Sequence, residues 1–79
     1  MASDELLDGL AEILEQDRAA LTEETALADL NWDSLAFVSF IAMVDSRFGV
    51  TVPPRQLAKC RTVADLAALV ETLVASAHQ

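Results

Sequence analysis

One cysteine, one histidine, two glycines, two prolines and no tyrosine leave this chain few of the residues from which sites are usually built. A lone Cys60 cannot close an internal disulfide, so nothing points to a disulfide-stapled secreted domain. The single histidine, His78, stands next to the C-terminal residue, and no Ser-His-Asp or Cys-His set assembles around it. There is no Gly-rich phosphate loop and no metal-ligand spacing. Basic residues are also scarce, five against thirteen acids, for a formal net charge of −8. A phosphate backbone or an anionic membrane surface repels such a chain, whereas basic protein surfaces attract it. The longest nearly apolar run, "LAFVSFIAMV" from Leu35 to Val44, is too short to span a bilayer. The acidic start, "MASDELLDGL", is no signal peptide. On this reading a soluble cytoplasmic protein is expected, and there is no case for an enzyme.

What is present is apolar and helix-favouring. Hydrophobic residues make up 53% of the 79, mostly Ala, Leu and Val, enough for one small domain over 1–79. Leu6, Leu7, Leu10, Ile13 and Leu14 recur at helical spacing and predict a first helix from about Ser3 to Gln16, capped by Ser3 or Asp4. Residues 17–33 form a long irregular connection, with a short helical turn expected near Ala26–Leu30 and with Leu21, Leu27, Leu30 and Trp32 as anchors. Loops this long in small domains are often functional. A second helix is expected from Ser34 to Phe48, between an Asp33 N-cap and a Gly49 stop. Its core face is read as Phe37, Phe40, Ile41, Val44 and Phe48. Leu35, Ala36, Ser39, Ala42, Met43 and Ser46 then lie elsewhere around it, and they are almost uncharged for a surface. "VTVPP" is extended. Pro54 opens a short third helix to about Lys59. Thr62 and Asp65 have capping-box spacing and start a fourth, with Val63, Leu66, Leu69, Val70 and Leu73 inward. "ASAHQ" is expected to fray. The fold expected is all-α: a small four-helix bundle of three longer helices and a short third one, with a long first loop.

Ser34 is the residue with chemical interest. A serine hydroxyl is a weak nucleophile without an adjacent base, so Ser34 is better placed to be modified than to act. The first turn of a helix offers unpaired N–H groups and a positive dipole end, which suit an attached phosphate. Asp-Ser-Leu alone fits a plain helix cap equally well.

The wider pattern decides between them. An Asp29-Leu30-x-x-Asp33-Ser34-Leu35 lead-in to the second helix is followed by the Phe48-Gly49 end, a Val50-x-Val52-Pro53 link and a Thr62-Val63-x-Asp65-Leu66 lead-in to the last helix. In this order and spacing the set resembles the acyl carrier protein family, the phosphopantetheine-binding or thiolation domains, over nearly the whole chain. The resemblance implies that Ser34 carries 4′-phosphopantetheine, transferred from coenzyme A by a separate phosphopantetheinyl transferase. It implies that Asp33 caps the helix and helps the transferase. Leu35 matches a position that packs against partners, and Ala36, Ser39, Ala42, Met43 and Trp32 are expected to share that face. The partners implied are an acyl-loading or adenylating ligase and a ketosynthase or acyltransferase, with the carrier itself monomeric and free-standing.

Several positions depart from the family pattern. Asn31 stands where Gly is common, and Asn tolerates left-handed backbone. Trp32 is unusually large, a loop anchor or a contact to the arm or a partner. Acids usual along the outer second helix are replaced by Ala36, Ser39 and Ser46. Arg55, Lys59 and Arg61 lie where acids are common, and the negative charge has moved to the first helix and loop. Such a shift changes which partners are steered in. Phe37 is bulky just after the arm and favours short or externally held cargo. Polyketide or fatty-acyl cargo is the first expectation, because the Gly-Gly-Ser signature of aminoacyl carriers is missing. Aminoacyl cargo is second. An unmodified helical adaptor is the reading from another class.

Overall fold

Four helices account for most of the chain in the computed structural model, which describes residues 2–77. They are α1 (Ala2–Leu14), α2 (Ser34–Phe48), the single-turn α3 (Pro54–Leu57) and α4 (Val63–Ala77). Two single 3₁₀ turns, Arg18–Ala20 and Leu27–Asp29, punctuate the long connection between α1 and α2. Among the described residues there is no strand, only an isolated antiparallel bridge between Ala26 and Thr62. No described helix is long and apolar enough to cross a membrane.

The core is aliphatic around one phenylalanine. Leu6 and Leu10 of α1, Phe40 and Val44 of α2, Val52, Leu57, and Val63, Leu66 and Val70 of α4 are all within 1% of complete burial. Among the described residues no polar or charged one is buried with them. The first helix begins earlier than expected, at Ala2, so Ser3 and Asp4 lie inside its first turn and not ahead of it, where a cap would stand. Asp4 and Glu5 still favour the positive end of its dipole there. The helix also stops two residues early, at Leu14. Glu15 takes a left-handed φ of 55°. Its N–H donates to Glu12 O at 3.3 Å and that of Gln16 to Ala11 O at 3.0 Å, the paired bonds of a Schellman stop. At the other end of the chain α4 continues through Ala77, so the expected fraying does not reach residues 75–77. The expectation for His78 lies outside the described residues.

The long connection is stitched to the start of α4 by backbone bonds. Val63 N–H donates to Thr25 O at 3.0 Å and Ala64 N–H to Glu23 O at 2.8 Å, while Leu27 N–H donates to Arg61 O at 2.8 Å. The Asp65 N–H is taken by Thr62 Oγ1 at 3.2 Å. Three of the amides that a helix start leaves without internal acceptors are therefore satisfied. Asp65 completes the box: its Oδ2 accepts from the N–H groups of Thr62 (3.1 Å) and Arg61 (2.9 Å). These bonds hold its carboxyl below the usual carboxylate range, the Arg61 and Thr62 amides contributing most.

Acids on α1 are partly neutralised within the fold. Arg18 pairs with Asp8 at 2.9 Å and Asp4 at 3.5 Å, and Arg47 of α2 reaches Glu12 of α1 at 3.0 Å. Both arginines and their partners are solvated, so each pair contributes at most about 1 kcal/mol. Arg55, Lys59 and Arg61 form no ion pair among the described residues.

Candidate functional site

The lead-in to α2 is built by short backbone bonds. Leu30 N–H closes the 3₁₀ turn on Leu27 O at 3.0 Å, and Asp33 N–H donates to Asn31 O at 3.0 Å. Asn31 uses no left-handed conformation, because Glu15 is the one non-glycine residue at positive φ among those described. The turn therefore does not need the glycine common at this position. Asp33 is extended (φ −109°, ψ −173°) and its Oδ1 accepts from Ala36 N–H at 2.9 Å. Its carbonyl accepts from Phe37 N–H at 2.9 Å. Asp33 is thus an N-cap with side chain and main chain both engaged.

Ser34 is the first helical residue, and it is exposed. No hydrogen bond ties its hydroxyl to another described residue, and the N–H groups of Ser34 and Leu35 have no acceptor among them. A serine serving only to cap would turn its Oγ back onto the helix amides; here Asp33 fills that role and the Ser34 hydroxyl is exposed without a hydrogen bond to the described residues.

Trp32 sits behind this serine. Its ring packs edge-on against the fully buried Phe40, centroids 5.7 Å apart, and lies 6.3 Å from Phe37 at a tilt of 58°. It is half-buried and borders three open clefts. One, of about 480 Å³, is lined by Trp32, Asp33, Ser34, Phe37 and Val38. A second, of about 540 Å³, lies toward the end of α1 between Ile13, Glu15, Asn31, Trp32, Leu35 and Ser39, with further lining from Leu14, Leu30, Asp33 and Ala36. The third, of about 490 Å³, faces Cys60 and Arg61.

The expected docking face is redrawn in part. Leu35 is 75% exposed and Ala42 is exposed, both on the outer side of α2. Ala36 is only 5% exposed, in the core stripe Ala36–Phe40–Val44, so it offers a partner no side chain. Phe37, Ile41 and Phe48, expected on the core face, flank that stripe and are half-buried. Ser39 is half-buried at the cleft edge. Met43 is half-buried too and packs down on Gly9 of α1, where a Cβ would stand 2.8 Å from its Sδ. Sequence reasoning passed over Val38, which is 62% exposed. Its spacing of three from Leu35 was the available signal.

Cys60 is half-buried, its Sγ 3.7 Å from Gln56 O. Burial, and secondarily the Asp65 carboxylate, push its thiol pKa up, so it is a poor thiolate at neutral pH. Among the described residues no group of His, Cys, Asp and Glu is placed to hold a metal ion.

A small helical bundle that opens its second helix with an outward, unbonded serine is the framework of a phosphopantetheine-binding domain. Residues 4–70 match the family described as "Phosphopantetheine attachment site". A meromycolate extension acyl carrier protein of Mycolicibacterium smegmatis is 35% identical over 75 residues, covering 89% of this chain and 76% of the relative. An acyl carrier protein of Thermobifida fusca is 39% identical over 67 residues, 78% of this chain and 85% of the relative. The solution structure of a holo acyl carrier protein from Geobacter metallireducens superposes with a TM-score of 0.79 at 29% identity, covering 95% of this chain and 87% of that one. The chain belongs to the acyl carrier protein family. Its prosthetic group is 4′-phosphopantetheine, and its role is to carry acyl groups on it. The residues fit that group: an outward hydroxyl, two free amides at a helix start and an apolar cleft adjoin one another.

Proposed function

We propose that Ser34 is the attachment residue and that the carrier shuttles fatty-acyl or polyketide intermediates among separate enzymes of a biosynthetic pathway. The observation that carries this is the Ser34 hydroxyl, exposed at the first position of α2 with no hydrogen bond of its own. The free Ser34 and Leu35 amides and the dipole of a fifteen-residue helix favour a phosphodiester anion there, despite the acidic balance of the chain. Asp33 keeps the first turn rigid through Ala36 N–H and presents a carboxylate to the magnesium-dependent transferase that installs the group. The arm, once attached, supplies a terminal thiol on which acyl groups ride as thioesters.

The partner face in this reading is Leu35, Val38 and Ala42, with Trp32 and Ser39 at its edge. It meets a phosphopantetheinyl transferase, an acyl-loading enzyme and a ketosynthase or acyltransferase in turn. Met43 and Ala36 support that face from beneath. The naming of several relatives for meromycolate extension favours acyl-chain building over aminoacyl transfer. The carrier works as a cytoplasmic monomer.

Incubation with coenzyme A, magnesium and a broad-specificity phosphopantetheinyl transferase, followed by intact mass measurement, tests the assignment. The parent gains one phosphopantetheine and Ser34→Ala gains none. A gain in Ser34→Ala, or none in a folded parent while a control carrier is modified, would overturn it.

A further inference from the structure

We propose that the cleft formed by Trp32, Phe37 and Val38 is a seat for the base of the prosthetic arm, holding the gem-dimethyl carbon of its pantoyl segment. The inference rests on Ser34 as the attachment residue. Of the three clefts bordering Trp32, this is the one that Ser34 itself lines. Its other walls are two aromatic rings and an exposed valine, with Asp33 the only charged neighbour. The Asp33 Oδ1 accepts from Ala36 N–H, so one of its two carboxylate oxygens is engaged by the helix.

The arm's covalent structure supplies the complement. Next to the phosphate and one CH₂ comes a quaternary carbon bearing two methyl groups, the bulkiest apolar part of the whole arm. It lies about four bonds from Oγ, so its reach is roughly 5 Å. Beyond it the arm turns polar, with a hydroxyl and two amides. Once the phosphate is held at the start of α2, the methyls adjoin the cleft that Ser34 lines with Trp32, Phe37 and Val38, while the exposed Leu35 borders the cleft toward α1. The cleft toward α1 has a mixed lining that includes Glu15, Asn31 and Ser39, and the one toward Arg61 lies across the indole.

The aromatic packing makes the seat firm. Trp32 is fixed on its inner side by Phe40, which is completely buried, and Phe37 leans on it from α2. The rings therefore fill the space between attachment point and core, and the arm lies over them on the surface. A seated base sets the direction in which the arm leaves the protein, along the Val38 side of α2, while the amide and thiol end stays free to reach partners.

Isotope-filtered NMR on holo protein tests this. The chain is uniformly ¹³C/¹⁵N-labelled and the arm is installed from unlabelled coenzyme A. The expected result is a set of cross-peaks from the two arm methyl groups to the Trp32 ring and the Val38 methyls, with a shift of the Trp32 indole N–H between apo and holo forms. Val38→Ser, an exposed substitution brought to complete mass gain with excess transferase, should lose or sharply weaken the cross-peaks from the arm methyls to the Trp32 ring. Complete mass gain without arm-methyl cross-peaks to Trp32, Phe37 or Val38 would overturn the seat and leave the attachment residue standing. Arm-methyl cross-peaks to the Trp32 ring that persist at full strength in Val38→Ser would overturn the seat in the same way. Absence of mass gain would remove the attachment residue and the seat together.

Discussion

The Met43 thioether occupies the space that a side chain on residue 9 would need: a Cβ built on Gly9 would stand 2.8 Å from its Sδ and 2.9 Å from its Cε. Gly9 therefore trades helix propensity in α1 for close approach to α2. Gly9→Ala should leave stability within about 0.5 kcal/mol of the parent, because a helix gain of about 1 kcal/mol is offset by displacing Met43. In a Met43→Ala background the same change should stabilise by about 1 kcal/mol. Urea midpoints of the four proteins measure the coupling, and additive effects would contradict the packing.

Glu15 holds a left-handed φ of 55° to stop α1. A non-glycine residue there costs about 1–2 kcal/mol of local strain, part of which glycine returns through its freer unfolded chain. Glu15→Gly should raise stability by about 0.5–1 kcal/mol, and Glu15→Ala should not. Thermal or urea unfolding separates the two. Equal effects would mean that the charge of Glu15 matters and its backbone does not.

Asp65 carries a pH dependence with a defined sign. Its folded pKa is lowered by the Arg61 and Thr62 amides, so the unfolded chain binds its proton more readily. Its stabilisation is present above the unfolded carboxylate range and disappears as pH falls through the lower, folded value. Asp65→Asn should therefore be less stable than the parent near neutrality, with the gap closing in acid. A gap that stays constant with pH would show that the cap works without its charge.

Two thiols coexist in the holo protein, and they should differ in reactivity. Burial and Asp65 hold Cys60 mostly protonated at neutral pH. Iodoacetamide should label the arm first, and Cys60 of the apo protein should react more slowly than cysteine in a short peptide. Asp65→Asn should speed Cys60 alkylation by removing the nearby negative charge. Peptide mapping after timed labelling reads both, and a Cys60 that outpaces the arm would refute the assignment of its environment.

Side-chain chemistry made some of this architecture legible in the sequence. Asp33 before Ser34, Gly49 after Phe48 and the Thr62–Asp65 box are local signals, and each forms the cap its residue types announce. The rotation of α2 was harder to read. Apolar residues surround that helix, so periodicity could not separate the buried Ala36 from the exposed Val38. Glu15 carries no mark of its backbone state, because the residue type that usually signals a left-handed stop is glycine. The stitching of the loop to α4 uses the carbonyls of Glu23 and Thr25, which every residue possesses. The positions of Met43 and of the Trp32 clefts depend on how helices meet, which no single segment encodes.

That stitching has a consequence for how the molecule opens. The first amides of a helix normally exchange with solvent almost at once, since nothing inside the helix accepts from them. At Val63 and Ala64 the acceptors belong to a segment far earlier in the chain. Their deuterium uptake is therefore governed by the lifting of residues 23–25 from α4, and two amides remote from Ser34 time the release of the loop that leads to it.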